Sequence, residues 1–226
     1  QALPALAQTY NGAYYGSNTY ANGRPSYQQG RVVYIPAGMM IPVTLSTSIS
    51  TDAARAGDLV QAVDQEFGLN FIGQDEEHSL EIQLPFLQRT LGNFCLVPFM
   101  LENQSYATAQ ALSQALVKAL PAQGVLLVAS TDLSHFYTYD QAAQLDRRAM
   151  EDIGRFDAEG FDRDIVARRC EACGHGAVVT VLLTAKARGA DQVTVLRYAN
   201  SGDVTGDRYQ VVGYGAAAIM KSARRP

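Results

Sequence analysis

The first 51 residues contain no aspartate or glutamate, and Arg24 and Arg31 are their only charges. No run of 18 apolar residues occurs anywhere in the chain, which excludes a helical membrane span. A basic excess is missing too: net charge is −4, and no Lys/Arg stripe is present, which argues against nucleic acid as a partner. Cysteine is limited to Cys95, Cys170 and Cys173, an odd count that does not suggest a disulfide framework. Histidine is limited to His78, His135 and His175, so any imidazole chemistry must draw on these three. What remains is a chain of 226 residues, 47% hydrophobic and 18% charged, enough to bury the core of one large domain or two small ones.

Two compositions share this chain. Residues 1–30 hold five tyrosines among Gly, Asn, Ser and Gln, and read as a flexible segment with little to bury. Ala5-Leu6-Ala7 fits the small-x-small rule of a signal-peptidase site, so residues 1–7 read either as the stub of a signal peptide or as a chance match in an Ala-rich stretch. Residues 31–67 carry short β-branched runs broken by Pro-Ala-Gly and read as a small β-rich segment. From residue 68 onward charges of both signs appear, and helical patterns alternate with apolar strands. The boundary is expected near 66–74, with an extracytoplasmic style in front and a cytoplasmic one behind.

In the back part, 77–91 shows leucines at helical spacing, interrupted by Pro85. Residues 94–100 and 124–130 read as apolar strands, and the second suits a sheet covered on both faces. Helices are expected over 106–120, 139–154, 159–169 and 176–190, followed by strands over 192–200 and 207–220. The alternation predicts an α/β sandwich around a central, mostly parallel sheet.

Ligands in such folds sit beyond the carboxyl ends of the strands. Asp132 and His135 lie just past one such end. Asp132 could equally be a helix cap, but a cap needs no His135. His78 follows Glu76-Glu77 at the start of a helical pattern, where a positively polarised terminus favours neutral imidazole; a surface histidine is the plainer alternative. Cys170-x-x-Cys173 is a metal or redox spacing, though a single such pair is a weak zinc signal. Cys173 is expected at a helix start, a place that favours thiolate.

Three stretches together, "EEHSLEIQLPFLQ", "VASTDLSHF" and "CEACGHGAVVTVLLTAKARGA", followed by "VLRYANSGDVTGDRYQVVGYGAAAI", resemble the Memo family, the AmmeMemoRadiSam system protein B, over about residues 70–221. The resemblance implies a class III extradiol dioxygenase-like fold and metal-dependent oxidation at non-haem iron, or alternatively copper. It implies Cys173 as a metal ligand, with His78, His135 and Asp132 lining the same pocket. A radical-SAM system partner, and phosphorylated ligands bound without turnover, are also implied.

Family members carry P-H-x-G-Y and G-P-x-H, whose histidines are metal ligands. Neither motif is present here, and the N-terminal third of the family is expected to be replaced by residues 1–67. Loss of even an outer partner costs a metal site 10–100-fold in affinity. The expectation is therefore a family fold with a compromised, weakly binding iron site. Strands missing from the sheet would leave an edge open to self-association. Three functions compete: a metal-dependent oxidoreductase located in the cytoplasm, a phospho-ligand binding module, and an inert hybrid or exported fragment.

Overall fold

The computed structural model describes residues 52–69, 79–91 and 94–222, together with the short pairing of β1 (Tyr20–Ala21) on β2 (Arg24–Pro25). The expectation of a flexible 1–30 falls largely outside the described residues, as does that of strands over 31–51.

Helix α1 (Asp52–Phe67) occupies the end of the stretch expected to be β-rich. Leu59, Val63 and Phe67 recur at helical spacing and face one cluster with Leu112, Leu116 and Leu120; that apolar stripe outweighs the β-branched content of the preceding sequence. Gly68 ends the helix at φ 77°, donating its N–H to the Asp64 carbonyl at 2.8 Å. Among the described residues of the 77–91 segment, 79–83 form turns and Leu84–Leu91 is helical (α2). Pro85 sits at the second helical position, where its missing N–H costs nothing.

Helix α3 (Tyr106–Ala119) is capped by Ser105, whose Oγ accepts the Thr108 N–H at 3.3 Å. The strand β3 (His135–Tyr137) leads into α4 (Tyr139–Gly154), at whose start Thr138 donates its backbone N–H and its hydroxyl to Gln141 Oε1. The chain continues through α5 (Ala158–Val166), α6 (His175–Ala187), β4 (Gln192–Asn200), the single turn α7 (Gly202–Thr205) and β5 (Val211–Met220).

The sheet runs β3-β5-β4, and both pairings are antiparallel. The expected mostly parallel sheet is not what the described residues build. Residues 94–100 and 124–130 form no strand and pair with none among the described residues. A doubly covered strand needs neighbours on both sides, and sequence alone does not reveal whether they are supplied.

Helix α4 packs on β4 and β5, α6 on α3 and α5, and α1 on α3. The main core joins Leu133, Met150, Phe161, Cys170, Val179 and Leu182. Each such large side chain, when fully buried, stabilises by roughly 1.5–3 kcal/mol. A groove of about 680 Å³ opens between residues 125–131 and the far half of β5, floored by α6. Val125, Leu126 and Val128 on its wall stay exposed. No helix among the described residues is long and apolar enough to cross a membrane.

Candidate functional site

The segment 130–135 passes directly over the start of α6, and this crossing builds the site. Gly174 precedes the helix at φ −106°, so its role is space rather than backbone freedom. A Cβ there would stand 2.8 Å from the Ser130 carbonyl oxygen and 3.1 Å from Thr131 Cβ. Because that Cβ is absent, Cys173 N–H donates to the Asp132 carbonyl at 3.1 Å, and Gly174 N–H donates to Thr131 Oγ1 at 2.7 Å. Gln104 clamps the other side. Its Nε2 donates to the Cys173 carbonyl at 2.8 Å, while its Oε1 accepts the Gly176 N–H at 2.9 Å.

Within this frame Cys173 Sγ accepts the backbone N–H of Asp132 at 3.2 Å and lies 3.6 Å from Thr131 Oγ1. The Asp132 carboxylate stands 3.5 Å from His135 Nε2. Thiol and imidazole are thus both anchored on Asp132, one through its backbone and the other through its side chain. Cys173 is exposed and His135 half-buried, so both are reachable from solvent. Burial first, and the Asp132 charge second, push the Tyr214 phenol above the usual range.

Phe136 is the extra residue of a β-bulge, since His135 pairs with Val212 and Tyr137 with Val211. It takes φ 63°, a conformation uncommon outside glycine and concentrated at functional sites. Its ring is 72% exposed, with its centroid 5.8 Å from that of His135. Bulges next to a site re-aim its side chains.

Asp132, His135 and Cys173 are therefore neighbours, while His78 lies outside the described residues. The stretch that follows His78 does reach the site: Ser130 Oγ donates to the Ser79 carbonyl at 2.7 Å and accepts from Gln83 Nε2 at 3.0 Å. The expected helix start at Cys173 falls two residues later, at His175. Cys170, the other half of the C-x-x-C spacing, is fully buried, and burial pushes its thiol up to about 12. The two cysteines do not form a metal pair facing one opening. Among the described residues no three of His, Cys, Asp and Glu gather as a metal cage. Gln104 and Gln83 carry no signal in the sequence, because polar residues acting through backbone groups leave no spacing pattern.

A family model described as Memo-like protein matches residues 42–218. Relatives called MEMO1 family protein include one from Methanobrevibacter smithii, 35% identical over 79% of this chain and 64% of its own length. Another from Thermotoga maritima is 36% identical over 74% of this chain and 59% of its own. One from Methanosarcina mazei is 35% identical over 66% of this chain and 57% of its own. The chain thus spans roughly three fifths of the relatives it matches. The match starts at residue 42 rather than near 70, so α1 lies within the matched region, and the expected boundary at 66–74 falls inside it.

Proposed function

The chain belongs to the family described as Memo-like protein, and on that premise we propose that it carries part of a metal-dependent oxidoreductase centre. In this reading Cys173 is the soft donor, His135 is the acid/base group and Asp132 orients it. The observation that supports it most is the double anchoring on Asp132, with Cys173 Sγ on its N–H at 3.2 Å and His135 Nε2 3.5 Å from its carboxylate. A thiol and an imidazole at one opening suit iron or copper better than magnesium or calcium.

The described residues do not fit a closed metal site, because a third donor is missing from the cluster. What the present residues do by themselves is proton transfer at His135, with Asp132 holding its Nε2 edge. His78, which precedes Ser79 in the sequence, is the candidate third donor. The class III extradiol dioxygenase-like arrangement implied by the resemblance belongs to this same reading; helices packed against a sheet support it only at the coarse level.

The test is a cobalt(II) titration of the full chain followed by absorbance. Weak binding with a thiolate-to-cobalt charge-transfer band, lost in Cys173→Ser and kept in Cys95→Ser, is expected. A band that survives Cys173→Ser would move the donor elsewhere. Saturation by a phosphotyrosine peptide without any metal response would favour the binding-module alternative.

A further inference from the structure

Asp146, in α4, is fully buried, and among the described residues no lysine or arginine lies within ion-pair distance of it. Burying a carboxylate costs several kcal/mol unless hydrogen bonds satisfy it. Here Oδ1 accepts the Ser134 backbone N–H at 2.9 Å, and Oδ2 accepts the Tyr198 hydroxyl at 2.8 Å. Ser134 lies between Leu133 and His135. Its carbonyl accepts the Gly213 N–H at 2.9 Å, and the Gly213 carbonyl accepts the Leu133 N–H at 2.9 Å. Gly213 itself has no room for a side chain, since a Cβ would fall 1.8 Å from Asp146 Oδ2. One buried carboxyl group therefore ties α4 and β4 to Ser134, one of the two residues between Asp132 and His135.

A purely structural junction at this point needs no charge. Tyr198 and Ser134 could be satisfied by a neutral amide, without the desolvation cost of a carboxylate. What a carboxylate adds over an amide is a stronger bond to a single backbone N–H. That N–H precedes His135, where the bulge at Phe136 would otherwise leave the strand free to slip.

We propose that Asp146 is a positioning residue: through Ser134 it fixes the backbone from which Asp132 and His135 project, and so sets their mutual geometry. The inference rests on the reading of Asp132 and His135 as parts of the site. It adds a fourth residue to that site, fully buried and bonded to Ser134 rather than to Asp132 or His135.

The test uses the metal-free full chain, labelled for NMR, at fixed pH. Asp146→Asn, Asp146→Ala and Tyr198→Phe are compared with the parent. With only three histidines in the sequence, the His135 imidazole resonances are readily assigned. The Ser134 amide proton is expected to move upfield in Asp146→Asn and further in Asp146→Ala, with the His135 resonances moving in the same order. Tyr198→Phe is expected to lower Tm yet leave both in place. If Asp146→Ala does not fold, Asp146→Asn decides by the same criterion. The proposal is overturned if the Ser134 amide does not move, if it moves while His135 stays, or if Tyr198→Phe shifts His135 as far as the Asp146 variants do. Since no metal is present, this outcome is independent of the cobalt titration.

Discussion

Cys173 Sγ lies 3.2 Å from the backbone nitrogen of Asp132, 41 residues away in the chain. Cys170, three residues before it, is fully buried with its thiol pushed up to about 12. At pH 8 that leaves a thiolate fraction of about 10⁻⁴ at Cys170. Iodoacetamide labelling of the native chain at pH 8, followed by peptide mass spectrometry, should therefore modify Cys173 and the exposed Cys95 and spare Cys170. Labelling of Cys170 at a comparable rate would mean that the site opens in solution.

A second prediction concerns Gly174. Its missing Cβ lets 130–132 lie against the start of α6. Gly174→Ala should cost about 1–3 kcal/mol, as overpacking does, and should also break the Cys173–Asp132 contact. Denaturant unfolding measures the first effect, and faster exchange of the Asp132 amide measures the second. An unchanged amide would show that the crossing tolerates the methyl group.

The buried acids on α4 and α5 give opposite pH signs. Asp164 accepts from Arg148 and from Arg169, whose Nε lies 2.9 Å away, and these bonds hold its carboxyl down to about 2. A depressed acid stabilises the fold above its unfolded pKa, so this contribution is present at neutral pH and lost as pH falls from about 4 through 2. Asp152 is pushed up, by burial and then by Asp164, and its Oδ2 has no hydrogen-bond partner. Its contribution therefore favours folding at low pH and is lost as pH rises through its folded pKa. Asp164→Ala should cost about 3–5 kcal/mol at pH 7, as breaking a buried pair does. Asp152→Asn should be neutral or stabilising there. Urea unfolding at pH 7 and pH 3 checks both, and the gap between Asp164→Ala and the parent should narrow at pH 3.

The groove beside residues 125–131 exposes Val125, Leu126 and Val128. Apolar patches of this kind favour dye binding and association. Leu126→Lys should reduce both the fluorescence of bound anilinonaphthalene sulfonate and any concentration-dependent dimer in sedimentation, while changing stability by no more than about 0.5 kcal/mol. Equal dye binding in the variant would place the patch elsewhere.

Helices α3 and α4 were legible because an apolar period follows a Ser105 or Thr138 cap; α4 spans the expected 139–154, and β4 the expected 192–200. The strand at 124–130 was misjudged, since its apolar run specifies burial but not partners. Helix α1 was hidden by β-branched residues upstream of it. At the site, Asp132 and His135 stood out by their place just past an apolar run, and Cys173 by its C-x-x-C spacing in a chain with three cysteines and three histidines. Asp146 did not, being one acid among several on a polar helix. Its role depends on a contact with Tyr198, 52 residues away, which no local pattern encodes.

The central claim is that Cys173 belongs to a metal centre which this chain completes only in part. Elemental analysis of the chain purified without chelator, compared with Cys173→Ser, tests it most directly. The account predicts well below one iron or copper per chain in the parent, and less in Cys173→Ser. One tightly held metal per chain that is unaffected by Cys173→Ser would contradict it.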